Sequence, residues 1–198
     1  PQEILKRIIE NSKEKITIPI SLKVYLHEFY KRDNEIIFFN DVLINFQILG
    51  NSKSIKTDIL VEQNRAIGVL DGDIDPNILG YDLNNIIENY YQFKYLDEVL
   101  DSKAKKIYDF SVKTYPSNED YLVIKIVPLS ESKGILSYFM VVYDSNKKLI
   151  IEVSSYVTPD RLQMYKESMF VSRKVYKLEF KNTFRQVGNY YYLANSKE

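Results

Sequence analysis

A chain of 198 residues, 45% hydrophobic and 27% charged, has the composition of an ordinary globular domain, which argues against a disordered or membrane-spanning chain. Lys plus Arg and Asp plus Glu number 27 each, so no global field draws the molecule to nucleic acid or to an anionic membrane surface. The absence of cysteine excludes disulfides, thiolate nucleophiles and Cys-ligated zinc or iron–sulfur centres; it fixes no compartment, since Cys-free chains occur in the cytosol and also suit a periplasm, where an unpaired thiol is oxidised.

Folding a chain of this size removes roughly 70% of the surface of the unfolded state, enough for one core without staples. No apolar run approaches the ~20 residues that span a bilayer, so no transmembrane segment is expected. The opening PQEILKRIIEN has neither the apolar region nor the cleavage site of a signal peptide, and its abrupt helical pattern suggests a piece of a longer protein.

In chain order, Ile4, Leu5, Ile8 and Ile9 make one face of an amphipathic helix over residues 2–15. Thr17 and Pro19 end it. Leu22, Val24 and Leu26 then alternate with Tyr25, His27 and Phe29, a strand with bulky groups on both faces. Asp33-Asn34 suits a tight hairpin turn. Ile36, Phe38, Val42, Ile44, Phe46 and Ile48 follow at even positions, a stretch of about 13 residues and roughly 43 Å that is expected to bend. Gly50-Asn51-Ser52 turns the chain into Ile55, Thr57, Ile59 and Val61.

Residues 63–102 are the least sheet-like, with Asp82 as the cap of a short helix carrying Leu83, Ile86, Ile87, Tyr90 and Tyr91, and a further helical turn from Leu96 to Leu100. Strand patterns return at Ala104 to Tyr115, Tyr121 to Pro128, Ile135 to Tyr143, Leu149 to Val157, Val175 to Phe180 and Gln186 to Leu193. The turns are Pro116 to Asp120 and Asp144 to Lys147. With no repeat and no linker, the expectation is one α+β domain over 1–198. It is a broad curved antiparallel sheet with an N-terminal helix and short central helices covering one face.

Residues with chemistry are few. His27 is the one histidine, and a general base needs a nucleophile and an orienting carboxylate that the sequence does not place; a structural or surface role is expected. Asp71, Asp73 and Asp75 have a cation-loop rhythm, but Pro76 and Asp82 occupy the positions where a calcium loop needs Gly and a bidentate Glu, so a solvated turn and no metal is expected. Glu152 interrupts an apolar strand and is placed with Lys148, Ile150 and Ser154 on the wetter face. The 17 Tyr and 10 Phe fall mostly in strands, where packing explains them. Tyr190-Tyr191-Tyr192 must put rings on both faces of a strand and suggests a contact surface. No catalytic residue and no cofactor is assigned.

The segments PQEILKRIIENSKEKI, LKVYLHEFYKRDNEIIFFNDVLINF, NYYQFKY, YLVIKIVPL and GILSYFMVVYDSNKKLIIEVSSY, in that order, resemble the region after the carboxypeptidase-regulatory-like β-sandwich module in a group of Gram-negative envelope proteins. Phe29-Tyr30-Lys31 stands where that group has F-Y-R. Tyr91-Gln92-Phe93, Val123 to Pro128 and Gly134 to Asp144 match its Y-x-F, V-I-x-F-x-P and G-x-(I/L)-Y-I-D elements.

The same pattern is similar to the outer-membrane lipoprotein-carrier fold, an incomplete barrel whose helices close the concave side. That resemblance implies a periplasm-facing or outer-membrane-associated location and an apolar space that Phe38, Phe46, Phe110 and Tyr138 would line, or fill. A lipid or acyl chain would be held there by burial, at about 0.8 kcal/mol per methylene. Three functions follow. The first is a non-enzymatic binding or scaffold domain for a hydrophobic ligand or a segment of an envelope protein. The second is an interaction module that pairs through a strand edge, and the third a hydrolase using His27 or an acidic pair. Nucleic acid is not an expected partner.

Overall fold

A computed structural model describes residues 1–32, 34–51, 54–68, 89–134, 136–162 and 179–197. The class is the expected one: α+β, with an amino-terminal helix, a few short helical turns, and antiparallel sheets that do not close into a barrel. The strands are shared between a three-stranded and a six-stranded sheet. Contacts divide the chain into two compact units, Pro1–Ile16 with Tyr90–Glu198, and Thr17–Asn89.

In the first unit, α1 (Gln2–Lys15) buries Leu5, Ile8, Ile9 and Ser12, the stripe that a 3.6-residue period aligns. Each fully buried aliphatic chain contributes roughly 2 kcal/mol. Ile4, expected on this stripe, stays 43% exposed. The Gln2 amide donates to the carbonyls of Val99 and Asp101 at 2.9 Å and so ties α1 to the short helix α2 (Asp97–Leu100).

The six strands of this unit follow one another as a meander: β4 (Tyr108–Tyr115), β5 (Asn118–Pro128), β6 (Tyr138–Asp144), β7 (Leu149–Tyr156), β8 (Glu179–Val187) and β9 (Tyr190–Lys197). The β6–β7 turn falls where the sequence places it. Asp144 Oδ1 accepts from the backbone N–H groups of Asn146 and Lys147 at 2.9 and 2.8 Å, the local bond that makes Asp a turn residue. Arg161 stitches the β5–β6 connection by donating to the carbonyls of Leu129, Ser132 and Gly134.

Three local expectations change. Ala104–Lys106 is a 3-10 turn with Ala104 buried, so the strand starts only at Tyr108. The segment 186–193 is a hairpin tip and not one strand, because Gly188 adopts φ +58 and reverses the chain between Val187 and Tyr190. Ile150 and Glu152 do not share a face. Val142 pairs with Glu152 but Tyr143 pairs with Ile150, leaving Ile151 as the extra residue of a β-bulge. Ile150 therefore turns inward at 0% exposure, while Glu152 faces the other way and binds Lys181 at 2.7 Å. Of the segment from Val175, only Glu179 onward is described, and the Asp82 helix is described only from residue 89.

The second unit holds β1 (Ile20–Arg32), β2 (Glu35–Asn51) and β3 (Ser54–Gly68), with β2 in the centre. Asn34 takes φ 72 in the expected tight turn. β2 is 17 residues long, and two bulges relieve the strain of so long a ladder: Ile37 in β2 opposite Tyr30/Lys31, and Glu62 in β3 opposite Leu43/Ile44. The strand signal in the sequence stops near residue 62, yet β3 runs on to Gly68. The parity flip at Glu62 hides the alternation, and pairing with β2 holds the segment regardless of its polar composition. Gly68 sits opposite Phe38 at φ +113, where a Cβ would lie 2.1 Å from the Ile37 carbonyl oxygen.

Candidate functional site

Residues opposite each other in an antiparallel pair point to the same face, so the register of β1–β3 sorts their side chains. One face carries Ile44, Phe46 and Ile48, each at most 2% exposed, with Leu22 and Val24 opposite. The other face carries Lys23, Tyr25, His27, Phe29 and Lys31 of β1, Phe39, Asp41 and Leu43 of β2, and Lys56, Asp58, Leu60, Arg65 and Ile67 of β3. This outer face is open: Tyr25 is 65% exposed, Phe29 51%, Leu60 64% and Ile67 56%.

At its centre lies one rung, His27–Asp41–Arg65, that crosses all three strands. Asp41 Oδ1 lies 2.5 Å from His27 Nδ1 and accepts from the Tyr25 hydroxyl at 2.8 Å. Its Oδ2 accepts from Arg65 at 2.5 Å. Hydrogen bonds from His27, then Arg65 and Tyr25, hold the Asp41 carboxyl well below the usual carboxylate range. The bond to Asp41 pushes the Tyr25 phenol up. Aromatic rings flank the rung: His27 stands 5.7 Å from Phe29 and 6.4 Å from Phe39, Arg65 lies over Phe39, and Lys31 over Phe29. The cations add attraction to the ring faces and fix the rings' orientation.

Asp41 orients His27 as a catalytic carboxylate would, leaving Nε2 free. The neighbours of His27 on its face are Tyr25, Phe29, Phe39, Asp41 and Leu43, none of them Ser or Thr, so the register places no Ser or Thr hydroxyl beside it to give up a proton. Among the described residues no three His, Asp or Glu gather to hold a metal ion. The arrangement braces an exposed aromatic surface. Asp71, Asp73 and Asp75 lie outside the described residues.

Of the four rings expected to line or fill an apolar space, two lie on each sheet. Phe38 and Phe46 share the inner face of β2, and Phe46 is packed at 1% exposure. Phe110 and Tyr138 belong to the six-stranded sheet and point to opposite faces of it. Phe110 aligns with Ile126 and Phe139, whereas Tyr138 stacks on Tyr156 at 4.9 Å and 13°. Tyr190 to Tyr192 lie on an edge strand, β9; Tyr190 points out at 59% exposure and Tyr191 in at 1%.

Sequence reasoning singled out His27 but not its partners. An unbulged hairpin from the Arg32–Glu35 pair sets His27 against Asn40, and one from Asn51–Ser54 sets Asp41 against Asn64. The bulges at Ile37 and Glu62 each move the register by one residue and create the rung. The readable signal was the alternation of Lys23, Tyr25, His27, Phe29 and Lys31, basic groups interleaved with rings on one face of a strand.

No family model, no curated protein and no solved structure matches this chain. Among the described residues no helix is long and apolar enough to cross a membrane.

Proposed function

We propose that this chain is a non-enzymatic binding domain that takes up an extended segment of another protein on the outer face and free β3 edge of its three-stranded sheet. The observation that carries the reading is the row of large exposed side chains, Tyr25, Phe29, Ile36, Leu60 and Ile67, around the braced Asp41 rung. A surface that exposes so many rings and branched chains, with Tyr25 bound to Asp41 and Phe29 under Lys31, is partly ordered before binding. Among the described residues β3 pairs with one strand, β2, and so is an edge strand to which an extended segment can add.

Charge selects the kind of segment. Lys23 is paired with Glu62 at 3.1 Å and Arg65 with Asp41. The remaining Lys31 and Lys56 outnumber Asp58 on the outer face, a small positive excess that favours a partner with acidic side chains among apolar ones. A protein segment is a better fit than a lipid or acyl chain, because Phe46 is already packed and Phe110 and Tyr138 point to opposite faces of their sheet. A periplasm-facing setting with an envelope protein as partner rests on the resemblance of the strand patterns alone.

The test is fluorescence anisotropy with labelled peptides of roughly ten residues, the length of a long strand, in which apolar residues alternate with either Glu or Lys. The Glu series should bind saturably, the Lys series should not, and Phe29→Asp with Leu60→Asp should abolish binding while circular dichroism stays unchanged. Absence of saturable binding by the Glu series overturns the proposal.

A further inference from the structure

The six-stranded sheet is split at one end. β7 and β8 pair only from Tyr156–Glu179 to Glu152–Thr183. β7 nevertheless continues back to Leu149 beside β6, and β8 continues to Val187 beside β9. Between the parted ends lies a cleft of about 300 Å³, at the lower end of the range for small-molecule sites.

The split is held open by a strut. Tyr191 reaches from β9 past β8 and donates its hydroxyl to the Ile150 carbonyl of β7 at 2.6 Å, while the Ile150 N–H donates to Ser12 of α1 at 3.0 Å. All three residues are at most 1% exposed. The bulge at Ile151 aims the Ile150 backbone away from β6 and makes this possible.

The floor is apolar, formed by Leu149, Phe184 and Tyr191, with the half-buried Ile151 beside them. The rim carries Lys147 and Arg185, neither of which has an ion pair among the described residues. Thr183, Gln186 and Tyr121 add hydroxyl and amide groups. The one lining carboxylate, Asp144, is buried to 7% exposure and already accepts two backbone N–H groups through Oδ1. Beyond Thr183, every second residue of β8 directs its N–H away from β9 and into the gap.

We propose that this cleft is a second binding site, for a small organic acid whose carboxylate sits between Lys147 and Arg185 and whose apolar body lies against Ile151 and Leu149. Two cations against one carboxylate already tied to its own turn, with hydroxyl and backbone donors beside them, leave an excess of positive charge that selects an anion. The apolar floor selects against a bare inorganic one. All the lining residues belong to one compact unit, Pro1–Ile16 with Tyr90–Glu198.

The test is a titration of the ¹⁵N-labelled chain with benzoate, hexanoate, benzylamine and inorganic phosphate, followed by amide shifts. Both carboxylates should shift the amides of residues 147–151 and 183–186 saturably, with phosphate binding more weakly and benzylamine not at all. Lys147→Ala with Arg185→Ala should weaken benzoate at least about tenfold, the scale of a lost charge-assisted bond. Arg185→Lys should recover part of the loss, and peptide binding to the three-stranded sheet should not change. No saturable shift with either carboxylate, equal binding of phosphate, or indifference to the double substitution overturns the proposal.

Discussion

His27 and Asp41 face each other across β1 and β2, with Nδ1 2.5 Å from Oδ1, and the same carboxylate holds Tyr25 and Arg65. Three side chains from two other strands thus converge on one acceptor, and the exposed rings beside them inherit fixed positions. Asp41→Asn should release that bracing. The Tyr25 phenol, raised by Asp41, should fall to the ordinary tyrosine range, read by a pH titration with ¹³C-labelled tyrosine rings. An unchanged Tyr25 titration would show that the bond does not persist in solution.

The acid limb follows from the sign of the Asp41 shift. A carboxyl held below its unfolded value stabilises the fold above that value, and the contribution is lost as pH falls through the folded one. The rung should therefore stay intact through the ordinary aspartate range near about 4 and loosen only below it. Amide exchange of residues 25–29 and 39–43, compared between the native chain and Asp41→Asn, measures this. The difference between the two should be full at neutral pH and shrink only in strong acid.

Ile150 depends on two side chains for its backbone bonds. Tyr191→Phe should leave its buried carbonyl unpaired and cost about 1–3 kcal/mol in urea unfolding; Ser12→Ala should orphan the N–H and cost a similar amount. Since both act on one bulge, the double variant should depart from additivity. Simple additivity would mean that the two bonds are independent.

Phe46 and Phe38 lie on one face of β2 but differ in burial, Phe46 being closed off at 1% exposure and Phe38 half-buried. Phe46→Ala should cost about 3–5 kcal/mol, the range for an aromatic truncated in a packed core, and Phe38→Ala clearly less. Equal and small losses for both would instead indicate an open apolar space on that face.

Gly68 closes the Ile37 bulge, with a Cβ position 2.1 Å from a backbone oxygen. Gly68→Ala should push β3 away from β2 at that end. The visible result should be loss of the Asp41–Arg65 contact, and with it of the Tyr25 shift, before any loss of the remaining sheet.

The fold class, the amphipathic helix, the Asp33-Asn34 turn and the Asp144 turn were all legible, because each rests on local chemistry: period, positive φ and an Asp side-chain bond. What was not legible depends on bulges. Ile151 put Ile150 and Glu152 on opposite faces, while Ile37 and Glu62 each displaced a register by one residue and so chose the partners of His27. A bulge has no strong composition signal, yet it reverses every later face assignment. The division of the strands between two sheets is likewise a matter of long-range pairing, on which alternation is silent.

Uptake of a protein segment by the β3 edge and the outer face of its sheet is read out by hydrogen–deuterium exchange of the full chain, with and without a saturating Glu-alternating peptide. Exchange should slow along residues 58–67 of β3, where the edge gains a partner, with no change along β9. Unchanged exchange on β3, or protection at β9 in its place, would contradict it.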